Sequence, residues 1–266
     1  MTVDPIADFV LEVERFYASL ISSSAAELRV AQLSILRPGI SVIESSHPSE
    51  SSLAGRLLYA GELNSECRAL VVAANIAGAA TLTASASAEA GKQAMRDGVV
   101  DFLVTTLDEA LRILKNEVRK HETVAVCVGQ APETVEEQMR KRGVLPDLQH
   151  PFEVAPLKES HAILFWRVTA MPANLLPKID AIAKDCLQQN LNDPTLAFEN
   201  WESARRWLRL SPRYLGRLAL GVRVLRCGKS AAALILERLR TEVEEAGIAH
   251  LIEIKRISEL ANQVID

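Results

Sequence analysis

The chain is poor in the residues that mark special classes. Twelve glycines and eleven prolines in 266 residues exclude collagen-like and linker-like chains. The four cysteines, Cys67, Cys127, Cys186 and Cys227, are scattered with no CxxC pair, which excludes a zinc knuckle or a dithiol redox motif. Such usage fits a reducing compartment. No apolar run approaches the roughly 20 residues of a membrane span. The N-terminus, MTVDPIADFVLEVERF, carries acids where a secretory signal has a basic region, so a cytoplasmic protein without a membrane anchor is expected. His47, His121, His150, His161 and His250 show no metal-ligand spacing, and no metal site is expected. There is no Gly-x-Ser-x-Gly elbow and no paired-carboxylate pattern, so the residues name no reaction. Among the histidines, His150 and His161 are the acid–base candidates.

What is present is ordinary globular composition, 48% hydrophobic and 24% charged, with a net charge of -4. That balance argues against a whole-chain polyelectrolyte binder of nucleic acid. Asp4-Pro5 reads as a cap and first-turn pair. Ile6, Phe9, Val10, Val13, Phe16, Tyr17 and Leu20 follow at helical spacing. A second helix is expected from Ala25 to Leu36, and an exposed loop from Glu44 to Ser52. Ala69 to Ala74 reads as a buried strand, Gly78 as the turn after it, and the Ala/Ser/Thr-rich stretch to Asp97 as a helix. Val99 to Val104 and Thr123 to Val128 are further strands. Between them Thr106-Leu107-Asp108-Glu109 forms a capping box. Pro132 opens a helix that closes at Gly143. Strands alternating with helices predict an α/β fold, a Rossmann-like parallel sheet core with N-terminal helices and a C-terminal helical region. Three domains are expected: a helical segment 1–52, an α/β domain 53–170 and a helical region 171–266. His161 to Thr169 reads as a strand. Helices are read over Leu175–Gln189, Ala197–Leu210, Pro212–Leu225, Ser230–Glu245 and Ile254–Val264.

One stretch carries several unlike features in order. They are Asp101 in a strand, the run Leu107 to Leu111, a strand ending at Gly129, and the turn Arg142-Gly143-Val144-Leu145-Pro146-Asp147. In these features Val99 to Leu148 resembles the NAD-binding domain of the urocanases (urocanate hydratases). The resemblance implies a Rossmann-like fold and NAD as the cofactor. The family's Gly-Gly-Met-Gly-Gly-Ala-Gln loop after the first strand is matched here to Ala73–Thr81, which holds one glycine. No room is seen for the family's next strand with its terminal acids. Its Thr-Ser-Ala-His-Asp-Pro loop is replaced by Leu148 to Glu153, and its extended N-terminal catalytic part is not found. Hydratase activity is therefore not expected.

The expected ligand site is the set of strand-to-helix turns. Asn75, Gly78, Ala79 and Thr81 form one, with Ala80 between them. Thr105 and Thr106 form the second, and Gly129 with Gln130 the third. Helix N-termini at a shared sheet edge suit a nucleotide or another small anion. Close packing and plain helix capping are the competing readings.

A basic run is the other signal. No acid falls between Ser203 and Leu236, while Arg206, Arg209, Arg213 and Arg217 are spaced to share a helical face, with Trp207 and Tyr214 interleaved. Residues 1–160 hold 15 basic and 22 acidic side chains; the remainder holds 15 and 12. Intramolecular or dimer pairing accounts for that asymmetry better than nucleic acid does. A small anionic ligand and an acidic protein surface remain the two partner classes, with a homo-oligomer expected. Cys227-Gly228-Lys229-Ser230 ends like a P-loop but lacks its first glycine, with Arg223 in that place.

Overall fold

A computed structural model describes residues 4–35, 53–150, 160–189, 201–258 and 263–265. The loop expected over Glu44–Ser52 lies outside them. The chain divides into two compact units, one of residues 15–155 and one of residues 1–14 with 156–266. These bounds differ from the three expected domains, because the first helix contributes to both units.

That helix, α1 (Pro5–Ile35), is a single element where two were expected. Asp4 starts it, its Oδ1 accepting the Ile6 N–H at 3.1 Å. Val10, Val13, Phe16, Tyr17 and Leu20 are buried, as their spacing predicts, whereas Phe9 is half-buried and Ile6, at the start of the helix, is exposed.

In the unit of residues 15–155, a parallel sheet of β1 (Leu57–Glu62), β2 (Ala80–Ala84), β3 (Phe102–Val104), β4 (Ala125–Val128) and β5 (Leu148–Gln149) runs in the order β3-β4-β2-β1-β5. It alternates with α2 (Ser65–Ala77), α3 (Ala88–Asp97), α4 (Leu107–Lys120) and α5 (Pro132–Lys141). The α/β core is therefore as expected. The crossovers through α2 and α3 run toward the β3 edge and those through α4 and α5 run back, so right-handed connections put the pairs on opposite faces. The α4 and α5 side buries Tyr59, Leu82, Val126 and Val128 against Leu107, Ala110, Leu114, Val135 and Met139. Each such buried Leu contributes about 2 kcal/mol by its removal from water.

Two expectations change here. Ala69 to Ala74 is the middle of α2 rather than a strand. That helix is buried from Ala69 to Ala77, so it has no polar face to betray its period. The first strand is β1, upstream of it. The second change follows from the first. The strand thought to be missing before Asp101 is present as β2, inside a stretch read as helix, because Ala80–Ala84 is small-residued and buried on both faces.

The acids that carry the family resemblance hold strands together. Asp101 Oδ2 accepts the Ala125 N–H at 2.8 Å, joining the entry of β3 to β4. Asp147 Oδ2 accepts the Leu57 N–H at 2.8 Å, and its other oxygen takes Arg56 Nη1 at 3.1 Å, fixing the approach to β5 beside the start of β1.

The other unit is mixed, not helical. β6 (His161–Val168) is central, antiparallel to β7 (Val222–Gly228) on one side and to β8 (Ile252–Ser258) on the other, with β9 (Gln263–Ile265) beyond β8. α6 (Pro172–Gln189), α7 (Trp201–Leu215) and α8 (Lys229–Glu245) complete it. The helix expected over Pro212–Leu225 is thus corrected: α7 covers its start as far as Leu215, and its end, from Val222, is strand. The helix expected over Ile254–Val264 is strand at residues 254–258 and again at 263–264. The alternation Val222-Arg223-Val224 and Ile252-Glu253-Ile254 carried that signal, and pairing with β6 realises it. β7 carries two of this unit's ion pairs, each with its carboxylate buried. Arg223 Nε meets Asp180 Oδ2 at 3.1 Å, and Trp166 Nε1 donates to Asp180 Oδ1 at 3.3 Å. Burial raises the Asp180 carboxyl above its usual range, and Arg223 opposes the shift. Arg226 forks onto Glu14.

Candidate functional site

In an open parallel sheet, the edge at the carboxyl ends of the strands offers helix N-termini and backbone N–H groups to a ligand. Here that edge consists of four turns. Leu63-Asn64 follows β1, Ser85-Ala86-Ser87 follows β2, Thr105-Thr106 follows β3, and Gly129-Gln130-Ala131 follows β4. His150 stands just past β5, its N–H donating to Tyr59 O at 3.1 Å.

Four of the expected site residues meet there. Gly129 N–H donates to Val104 O at 2.8 Å, and Gln130 Nε2 donates to Thr105 O at 2.8 Å, so the turns after β3 and β4 are joined directly. The polar chain continues. Gln138 Nε2 donates to Gln130 Oε1 at 2.9 Å, Arg142 Nη1 to Gln138 Oε1 at 3.2 Å, and Arg142 Nη2 to Asp108 Oδ2 at 2.9 Å. Glu109 folds back over the start of α4, accepting the Thr105 N–H and the Thr105 hydroxyl, each at 3.2 Å. The Thr106 hydroxyl caps the Glu109 N–H at 3.3 Å. These bonds hold the Glu109 carboxyl below the usual range, the Thr105 N–H first among them.

The other four do not join them. Asn75, Gly78, Ala79 and Thr81 sit where α2 ends and β2 begins, at the amino edge of the sheet. Gly78 closes α2 in the left-handed conformation at φ 104°, its N–H returning to Asn75 O. The turn is helix-to-strand, the reverse of the expected order. A helix C-terminus presents carbonyls and partial negative charge, which is the wrong polarity for an anion.

Because β1 is the first strand, the loop matched to Ala73–Thr81 in the sequence falls instead at the turn after β1. It runs Gly61-Glu62-Leu63-Asn64-Ser65-Glu66-Cys67. Asn64 Oδ1 accepts the Cys67 N–H at 2.8 Å, and the Cys67 thiol donates to Ala60 O at 2.8 Å. Burial pushes that thiol up to about 11. Glu66 lies 3.9 Å from His150 Nε2. The imidazole of His150 also meets the Phe16 ring edge-on at 6.3 Å. His161, the other acid–base candidate, is a buried residue of β6, its Nδ1 3.1 Å from the Ser160 hydroxyl.

Beside this edge, an open groove of about 1110 Å³ runs between β3 and the outer face of α4, lined by Asp101, Phe102, Glu109, Arg112, Ile113 and Asn116 among others. Phe102 is 47% exposed in it. No metal-binding group of three or more His, Cys, Asp or Glu exists among the described residues. Nor is any helix there long and apolar enough to cross a membrane.

The arginine run divides. Arg223 and Arg226 are taken into the two ion pairs of β7. Along α7, Ala204, Trp207, Leu208, Ser211 and Leu215 are buried. Arg205, Arg209 and Arg213 stand exposed at i, i+4 and i+8 on the opposite side, and Arg206 is half-buried. Arg213 lies over the Tyr214 ring at 5.4 Å. The helix continues through Pro212 to Leu215, so Pro212 does not begin the separate helix expected there, and Arg217 lies exposed beyond its end.

Residues 40–151 match the family model of the urocanase Rossmann-like domain.

Proposed function

From that match over residues 40–151 we propose a urocanase-related protein that is not a hydratase and that acts by docking. Its arginine-bearing helix α7 engages an acidic protein surface. The observation that carries this reading is the amphipathic split of α7: Trp207 and Leu208 anchor one side, and Arg205, Arg209 and Arg213 point outward at helical spacing. Exposed guanidinium groups in a row recognise carboxylates through paired N–H donors and speed encounter with a surface of opposite charge. The missing glycine-rich loop and the absence of the family's Thr-Ser-Ala-His-Asp-Pro sequence after Asp147 support the loss of hydratase chemistry.

The test is binding of the full chain to a polyglutamate-coated sensor across a salt series, beside the Arg205→Glu/Arg209→Glu/Arg213→Glu variant. Binding that weakens with salt and drops at least tenfold in the variant, with its unfolding transition unchanged, supports docking. Equal binding by both proteins removes α7 from the account. Stabilisation of the wild type by phosphate or a nucleotide would instead favour a small anion at the joined turns of Thr105, Thr106, Gly129 and Gln130.

A further inference from the structure

The urocanase Rossmann-like domain is NAD-associated in its family, so the strand-end edge of this unit can be tested against that cofactor. A dinucleotide asks three things of such an edge. The turn after the first strand must let backbone N–H groups close on a pyrophosphate. An acid at the end of the second strand must take the ribose hydroxyls. The helix dipoles must face the phosphates without competing negative charge.

None of the three is met. In the first turn the N–H at the third helical position is already taken, by the Asn64 side chain at 2.8 Å. Glu62 and Glu66 flank that turn, both exposed. The basic group beside Glu66, His150, lies 3.9 Å away. The second strand ends at Ala84-Ser85, and the Ser85 hydroxyl accepts the Ser87 N–H at 3.2 Å while Ser87 caps α3. The next acid, Glu89, is turned to Arg96 at 2.6 Å. The third turn holds its own anion, Glu109, on the N–H and hydroxyl of Thr105. At the fourth turn Pro132 removes an N–H from the start of α5, and Glu133 follows in its first turn. Each of the four helices that leave this edge thus carries a carboxylate in its first turn: Glu66, Glu89, Asp108 with Glu109, and Glu133. Placing a doubly charged pyrophosphate among them adds repulsion where the family's domain gains attraction.

We infer that the Rossmann-like unit of this protein is closed to NAD, its cofactor edge satisfied by the chain's own caps and carboxylates. The inference is independent of the docking reading, since α7 takes no part in it.

The experiment is calorimetric titration and thermal unfolding of the full chain with NAD and with inorganic pyrophosphate. The wild type is compared with the Glu62→Gln/Glu66→Gln variant. Both substitutions are exposed and leave the Asn64 cap in place. The expected result is no saturable heat and no rise in Tm for the wild type at millimolar ligand, with pyrophosphate raising the Tm of the neutralised variant. A micromolar dissociation constant for NAD with the wild type would overturn the inference. So would a variant as indifferent to pyrophosphate as its parent, which would leave the carboxylates without the excluding role assigned to them.

Discussion

The Arg226 guanidinium grips the Glu14 carboxylate through two bonds, Nε to Oε1 at 2.8 Å and Nη2 to Oε2 at 2.9 Å, across 212 residues of sequence. Glu14 is 2% exposed. The contact joins α1 to β7 within one unit. It is also a case of the pairing between the acidic N-terminal part and the basic run that the charge distribution suggests. Removing Glu14 leaves the Arg226 guanidinium charged, largely buried and without this carboxylate. Glu14→Ala is therefore expected to cost about 3–5 kcal/mol in urea unfolding. The apolar pair Glu14→Leu/Arg226→Met should recover most of that loss. A double variant as unstable as the single one would mean that the carboxylate serves something other than its arginine.

The capping box at Thr106 gives a second prediction. Thr106→Ala removes the hydroxyl from the Glu109 N–H and should cost about 1 kcal/mol. Glu109→Gln tests the other half through pH. The Glu109 carboxyl is held below its ordinary value by Thr105 and Thr106. Its stabilising contribution is thus present above the unfolded value, near 4.3. The contribution is lost as pH falls through the lower folded value. The Tm gap between wild type and Glu109→Gln should be open at neutral pH and close in acid. A gap independent of pH would separate Glu109 from the cap.

All four cysteines are buried. Burial pushes the thiols of Cys67 and Cys127 up to about 11 and that of Cys227 up to about 12. A thiol so placed is protonated at neutral pH and shielded from reagents. Native protein should react with a disulfide reagent no faster than it opens, and unfolded protein should release four equivalents at once. One fast-reacting thiol in the native state would contradict the packing of its strand or helix.

Gly221 precedes β7 at φ 84°, and a Cβ there would lie 2.6 Å from Val168 O. Gly221→Ala meets both a strained backbone and a carbonyl that is part of β6. A loss of about 1–3 kcal/mol is expected. Gly247, at φ 67° with open space around it, is the control for strain alone. Equal costs at the two positions would remove the clash from the explanation.

Where the sequence could be read and where it misled follow one physical line. Amphipathic helices announced themselves. Val10, Phe16 and Tyr17 of α1 fall on the buried side their spacing predicts, and in α4 Leu107, Ala110, Leu111 and Leu114 are buried at the same helical spacing. Caps were equally legible, because Thr106 and Glu109 act on neighbours three residues away. Elements buried on every side gave no such signal. Apart from Asn75, Ala69–Ala77 in α2 and Ala80–Ala84 in β2 are apolar or small throughout and buried, so strand and helix are exchanged in the sequence pattern. That exchange moved the expected turn to Asn75–Thr81 and hid the true one at Asn64. The strands β7 and β8 were missed for a different reason. Their hydrogen bonds go to β6, up to some 90 residues away, and arginines at near-helical spacing masked the alternation of Val222 and Val224.

By itself, then, the sequence determined the α/β class and the capped and amphipathic helices, since these depend on residues a few positions apart, and it carried the acids Asp101 and Asp147 as part of a family resemblance without showing what they bind. Only the tertiary structure decided which edge of the sheet Gly78 occupies and that Gln130 reaches Thr105. It also decided that Arg223 and Arg226 turn inward while Arg205, Arg209 and Arg213 face out. Strand order and the direction of a buried side chain are set by pairing and burial between distant segments, and no local pattern records them.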